Sequence, residues 1–434
     1  MINWSRYNTL FKSKRNGWLL YNSASNSFAQ VDKGSLEFIR RIPNDPNVDF
    51  SSNPEIYFKL RQGGFLVEDG KDDDLFRILK MRRLTQAYAG NSMLLTIAPT
   101  KECNFACPYC FEKNRVPSKM SDATESSLIH FIEKHENVKN LYVTWYGGEP
   151  LLEFERMKSI NKKLQLLEKK YNSMMITNGY LLNEEIISQL DDFKISLIQI
   201  TVDGNKETHD SRRFLVEGGG TFDRIFENID LLLKSCWKGK LNIRVNVDKT
   251  NYTEYMNVYK LVESKYPDKF EKQVTVYPGF VHGDEGSESG FFLDSKMKGD
   301  FLRDLAETHG VNALSVFPKI VMGGCTLTKR NSYVVGPDGE LYKCWNDVGD
   351  ESEVCGFIDN FTDWNMSLIA EGMIGASYLD DEKCKKCFYF PICDGGCPKV
   401  RVQNNRDGHK RDTCSYFKRN LKELLEIHYE QKTN

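Results

Sequence analysis

Met93-Leu94-Leu95-Thr96-Ile97-Ala98-Pro99-Thr100-Lys101-Glu102-Cys103-Asn104-Phe105-Ala106-Cys107-Pro108-Tyr109-Cys110 is the stretch on which the fold turns. Residues 93–98 form a short apolar run closed by proline, the pattern of a buried strand. Three cysteines follow at C-x3-C-x2-C spacing. Such a loop brings three thiolates around one point and supplies no fourth ligand. Structural zinc takes four closed ligands, so three at tight spacing leave a site open for something else, and a [4Fe–4S] cluster with one free iron meets that description. The bland alternatives are three chance cysteines, or a zinc site completed elsewhere.

Outward from this stretch the chain alternates. Strand-like runs recur at 141–145, 173–177, 197–202, 241–247 and 273–277, with helical patterns at 122–135, 152–170, 183–193, 221–236 and 252–265 between them. Serial alternation predicts an α/β fold with a parallel sheet, curved into a partial (β/α)6 barrel, whose chemistry gathers at the carboxyl ends of the strands. Ahead of it, residues 17–31 read as a hairpin turning at Ser23-Ala24-Ser25-Asn26. Helical patterns follow at 35–41 and 56–62, then a Gly63-Gly64 break, a strand at 65–67 and a connecting helix at 78–86. From about Gly323 the pattern dissolves into turns, glycines and cysteines, as in loops held by metal rather than by a large core. Three domains result, at 1–88, 89–310 and 311–434.

Composition bounds the rest. The 434 residues are 40% hydrophobic and 28% charged, with a net charge of −2, so no overall field draws the chain to nucleic acid or an anionic membrane. No apolar run approaches a membrane span, and the first residues lack the apolar stretch of a signal peptide, which predicts a cytoplasmic protein. Eight of the twelve cysteines sit in two segments. In a reducing cytosol, clustered thiols most often bind metal, either zinc or iron–sulfur.

Further motifs follow the next three strands. They are Gly147-Gly148-Glu149-Pro150, then Thr177-Asn178-Gly179, then Thr201-Val202-Asp203-Gly204 with Glu207, His209, Asp210 and Arg213. With Cys103, Cys107 and Cys110 they resemble the radical S-adenosylmethionine (SAM) superfamily. The last run is similar to that of its peptide-modifying branch, with Thr201 in place of the usual Ser. The resemblance implies that the three cysteines hold a SAM-binding [4Fe–4S] cluster. It also implies that Gly147, Gly148 and Glu149 hold the SAM amino group, that Asn178 contacts SAM or substrate, and that Thr201 and Arg213 bind the SAM carboxylate. The family cleaves SAM reductively to a 5′-deoxyadenosyl radical that abstracts a substrate hydrogen. An Arg fork suits a carboxylate, whereas His209 reads as a structural hydrogen-bonder rather than a general base.

The tail cysteines, C…G-x4-C…C-x2-C-x5-C-x3-C…C, resemble the SPASM domain of auxiliary clusters. That resemblance implies two more [4Fe–4S] clusters, one on Cys384, Cys387, Cys393 and Cys414, the other on Cys325, Cys344 and Cys397. The second is one ligand short. Either its iron stays open or Cys355 fills the vacancy. Cys236 reads as a buried or incidental thiol, and a zinc-ribbon reading of the tail remains as an alternative.

The amino-terminal pattern resembles winged-helix domains that bind leader peptides. The function so implied is oxidative modification of a ribosomally made peptide by thioether or carbon–carbon crosslinking or by epimerisation. Its partners would be a leader-bearing precursor and a flavodoxin- or ferredoxin-type electron donor. An anaerobic sulfatase-maturing enzyme, forming formylglycine on Cys or Ser, is the alternative. That family usually places Asp directly after the cysteine matching Cys344, where Trp345 stands here. A non-enzymatic iron–sulfur scaffold or redox sensor is the third reading.

Overall fold

The computed structural model describes residues 1–433 apart from 46, 111, 113–115, 282–291 and 312–314. Two compact units emerge, both discontinuous in sequence. One comprises 1–88, 294–325 and 376–434; the other comprises 89–293 and 326–375.

The first unit begins with strands β1 (Ile2–Trp4), β2 (Asn8–Lys12), β3 (Trp18–Asn22), β4 (Ser27–Val31) and β5 (Leu66–Glu68). The expected hairpin is β3–β4, paired antiparallel from Trp18 opposite Val31 to Asn22 opposite Ser27. Its turn is held by the Asn22 side chain, whose oxygen accepts from the amides of Ala24 and Ser25. Two strands escaped the sequence reading. β2 extends the hairpin to a three-stranded sheet, and β1 pairs antiparallel with β5. Neither shows a clean period of two, so only their partners reveal them. Both expected helices form, at Lys33–Arg41 and Pro54–Gln62, the first capped by Asp32. The connecting helix is longer than predicted, at Lys71–Ala87.

The tail differs from expectation. Within the first unit it forms helices at Pro398–Asp407 and Phe417–Thr433. Leu421, Leu424 and Leu425 of the second helix share a core with Phe11, Leu19 and Tyr21 of the amino-terminal sheet. The backbone amide of Lys14 donates to Glu426, and Tyr429 donates to Gln30. Apolar burial therefore holds this part of the tail, and not loops alone.

The second unit is built on a nine-stranded, mostly parallel sheet. Six strands, β6 (Ser92–Ile97), β7 (Asn140–Trp145), β8 (Lys170–Thr177), β9 (Ile195–Val202), β10 (Lys240–Val247) and β11 (Val274–Phe280), lie side by side in chain order. All run parallel, as the alternation predicts. Helices Asp122–Glu133, Phe154–Leu166, Glu184–Ser188, Phe222–Lys234 and Tyr255–Lys265 connect them. Beyond β6 the sheet continues through β12 (Ser332–Val335), parallel to β6, then antiparallel β13 (Glu340–Tyr342) and β14 (Gly356–Phe357). In β10, buried Leu241, Ile243, Val245 and Val247 alternate with half-buried Asn242, Arg244 and Asn246, so the second face of the sheet is polar. Among the described residues no helix is long and apolar enough to cross a membrane.

Candidate active site at the carboxyl ends of the parallel strands

Each motif follows its own strand, and backbone contacts draw the motifs together around the cysteine loop. The Ala106 amide donates to Phe214 O at 2.9 Å and the Val216 amide to Asn104 O at 3.0 Å, pinning the loop to the segment after Arg213. From the β7 side, the Gly148 amide donates to Thr100 O and the Glu149 amide to Glu102 O at 2.8 Å. A Cβ on Gly148 would stand 2.1 Å from Glu102 O, and one on Gly147 would stand 2.4 Å from Thr100 O. These glycines thus admit the cysteine loop's own backbone, an approach open only to a residue without a side chain.

Glu149 is fully buried, and its carboxylate is largely occupied. One oxygen accepts from the Leu151 amide at 3.1 Å and the Thr177 hydroxyl at 2.7 Å, and the other from the Asn178 amide at 2.7 Å. A carboxylate offers about four lone-pair sites, so one remains. Burial pushes this carboxyl above the usual range, against the pull of those donors. Glu149 therefore latches the end of β7 to the end of β8. Asn178 turns toward the loop, donating to the Asn104 side-chain oxygen at 2.7 Å. Thr201 is buried near the end of β9, in register with Arg244 of β10.

The two neighbouring arginines have different tasks. Arg213 donates to the Tyr109 hydroxyl at 3.0 Å, lies over the Phe105 ring and acts electrostatically on all three loop sulfurs. Arg212, which the motif does not single out, bridges Asp203 at 3.0 Å and Asp248 at 2.9 Å and covers the Tyr109 ring. His209 is structural, as read from sequence. Its Nδ1 accepts from the Asp203 amide, so the proton sits on Nε2 and is donated to Thr221 Oγ1, which in turn donates to Arg213 O. Burial, then Arg213, holds this imidazole well below its ordinary pKa. Asp210 accepts from the amides of Thr221 and Phe222, at the start of Phe222–Lys234.

The residues fit the cluster and nucleotide that the motifs imply. None of the twelve cysteines, all of them among the described residues, is joined in a disulfide. Cys103 Sγ accepts from the Phe105 amide and Cys110 Sγ from the Glu112 amide, both at 3.4 Å. Burial, followed by Glu149, pushes the Cys103 thiol up to about 12, so a thiolate there calls for a metal partner. Around the loop, Arg213 Nε, Asn104 Nδ2 and Asn246 Oδ1 are buried without a partner among the described residues, as polar atoms awaiting a bound group are. Among the described residues no three His, Cys, Asp or Glu side chains gather as around one metal ion. Thiolates of a four-iron cluster each take a different iron and stand wider apart.

The tail cysteines divide between the units. In the first, Cys384, Cys387 and Cys393 act on one another electrostatically, and Lys418 feels both Cys387 and Cys414. Cys397 feels Cys325. In the second, Cys344 precedes the turn Trp345–Asp347, and the Trp345 ring lies 5.5 Å from that of Tyr146, beside Gly147. Cys355 is buried, with Sγ donating to Leu341 O at 3.1 Å. Cys236 is exposed rather than buried.

Comparison with known proteins agrees with this geometry. Residues 97–262 match the model of the Radical SAM superfamily. A cysteine-type anaerobic sulfatase-maturating enzyme of Clostridium novyi is 27% identical over 77% of this chain and 96% of its own. Among solved structures, native anSMEcpe with bound AdoMet and Cp18Cys peptide superposes with a TM-score of 0.59, at 24% identity, over 79% of this chain and 98% of that one. Streptococcus suis SuiB bound to its precursor peptide SuiA gives a TM-score of 0.52, at 14% identity, over 96% and 99%. A radical SAM domain implies a [4Fe–4S] cluster and SAM. With its motifs assembled at the strand ends and the superfamily matched through β10, the chain is a radical SAM enzyme.

Proposed function

We propose that this enzyme oxidatively modifies a ribosomally made peptide, forming a thioether or carbon–carbon crosslink or an inverted centre. The observation that carries this reading is the folded amino-terminal segment, with its three-stranded sheet and paired β1 and β5. The SuiB fold spans nearly the whole chain, whereas the sulfatase-maturase fold leaves about a fifth of it unmatched. In this reading residues 1–88 receive the leader as an added strand, like a winged-helix domain. Residues 89–310 form the partial barrel, and 311–434 carry auxiliary clusters.

Cys103, Cys107 and Cys110 would hold the SAM cluster, which when bound supplies the electron that cleaves the sulfonium. The chain's own residues do the rest. Gly147 and Gly148 bring the cysteine loop against the end of β7, Glu149 ties that end to β8, and Asn178 orients Asn104. The half-buried Arg213, over Phe105, helps keep water from the loop. Cys384, Cys387, Cys393 and Cys414 would close one auxiliary cluster; Cys325, Cys344 and Cys397 would hold the other. Because Cys355 already donates to Leu341 O, we assign it to the core and leave one auxiliary iron open. The clusters would carry electrons from the substrate radical to a flavodoxin- or ferredoxin-type protein.

The sulfatase-maturase reading is favoured by the relatives, which align along almost their full length. Against it stands Trp345, packed on Tyr146 where that family usually has a carboxylate base. One experiment separates the two. The reconstituted enzyme is given the short peptide encoded beside its gene and, separately, a sulfatase-motif peptide bearing Cys. Loss of two hydrogens with sulfur retained, or solvent deuterium incorporation, in the first supports peptide maturation. Loss of sulfur in the second alone overturns it.

A further inference from the structure

Arg244 is a cation on the reaction face with no anion beside it among the described residues. Its strand position sets the direction of its side chain. Asn246, two residues on, donates to the hydroxyl of Tyr109 in the cysteine loop, so the even-numbered residues of β10 look toward that loop. Arg244 thus shares the loop's face, about 7 Å further down the strand than Asn246. Its register partners are Thr201 on β9 and Tyr277 on β11. The fold makes room for it, because a Cβ on Gly279 would stand 2.1 Å from Arg244 Nε.

Other arginines near the loop have protein partners, although Arg213 Nε stays without one among the described residues. Arg212 bridges two aspartates and Arg213 bonds Tyr109. Among the described residues Arg244 has neither an ion pair nor a hydrogen bond, and its Nε is buried. The polar groups beside it are otherwise occupied: Tyr277 donates to Gln199, and Thr275 to Asn242. A half-buried guanidinium without a counter-ion is costly unless a bound anion completes it.

We propose that Arg244, seated over Gly279 and beside Thr201, is a carboxylate-binding residue of the reaction chamber, a role that rests on the radical SAM reading of the site. The planar fork matches a carboxylate bidentately. Two sources reach this face: the α-carboxylate of SAM, or an acidic side chain of the substrate peptide.

The test is equilibrium binding to the anaerobically reconstituted holoenzyme, wild type against Arg244→Gln and Arg244→Lys. In one arm the probes are SAM and decarboxylated SAM; in the other, with SAM present, they are N-acetylglutamate and N-acetylglutamine. If SAM supplies the carboxylate, Arg244→Gln weakens SAM about tenfold or more and leaves decarboxylated SAM unchanged. If the substrate supplies it, SAM is held as before and N-acetylglutamate loses its advantage over N-acetylglutamine. Arg244→Lys recovers part of either loss, keeping the charge without the fork. Unchanged affinity for both acids in a folded Arg244→Gln protein overturns the proposal. A wild type that fails to yield 5′-deoxyadenosine would instead remove the site reading beneath it.

Discussion

The sulfurs of the strand-end loop and those of the tail are supported in different ways. In the loop, Cys103 and Cys110 accept from backbone amides, and the nearest cation, Arg213, is directed at Tyr109. In the tail, Arg401 donates to Cys384 Sγ at 3.4 Å and Lys418 to Cys414 Sγ at 3.1 Å, with the Gly395 amide on Cys393. Hydrogen bonds and positive charge at cluster sulfurs favour the reduced, more negative state. On the proposed assignment, the cations bonded to tail sulfurs would favour the reduced state of clusters held there, whereas among the described residues the loop sulfurs Cys103 and Cys110 are bonded by backbone amides and by no cation. That contrast would suit a reaction which draws an electron in at the loop and removes one through the tail.

The harshest test removes a ligand from each region. Cys107→Ala should abolish 5′-deoxyadenosine, while Cys387→Ala should retain some of it and lose product, as read by chromatography. Each should lower iron from roughly twelve per chain to roughly eight. Equal loss of nucleoside cleavage in both would break the comparison.

Next in size is the backbone fit of the loop. Gly148→Ala places a Cβ against Glu102 O, so it should cost about 1–3 kcal/mol in denaturant unfolding and deplete loop iron while tail iron stays. Undiminished stability would mean that the loop is not held this way.

The charge contrast is tested by potential. Arg401→Gln and Lys418→Met should each lower a tail potential by on the order of 60 mV, the one-electron equivalent of a tenfold change, in a redox titration followed by electron paramagnetic resonance. The loop signal should not move. Equal shifts at both centres would erase the distinction.

The smallest effect is on pH. The loop's support runs through His209, whose folded pKa lies well below 6.5. Below 6.5 the unfolded chain binds a proton that the folded one excludes. This contribution to stability is complete above 6.5 and is lost as pH falls, by at most about 1.4 kcal/mol per pH unit. Urea unfolding at pH 7.5 and 5.5 should show it, and His209→Asn should flatten it.

Much of the sheet was legible because its code is local. The runs at 93–98 and 241–247 match β6 and β10 within a residue, and the cysteines marked the strand ends. Harder to read were β1 and β2, too short and polar to show a period, and the helix Phe417–Thr433, overshadowed by the cysteines before it. Within the site, the motif identifies Arg213 but not Arg212, although the two differ only by one position and by what stands opposite. The glycines before Glu149 also admit the loop backbone, which no local pattern shows.

The sequence by itself determined the strand order, the cysteine spacing and the superfamily, because each is written in residues a few positions apart. Only the tertiary structure decided that 332–357 would extend the β6 edge, that Glu149 would latch β7 to β8, and that Arg244 would share the loop's face with no partner among the described residues. Those outcomes depend on which segments meet across tens to hundreds of residues. Burial and hydrogen-bond satisfaction of the whole chain settle such meetings, and no local pattern encodes them.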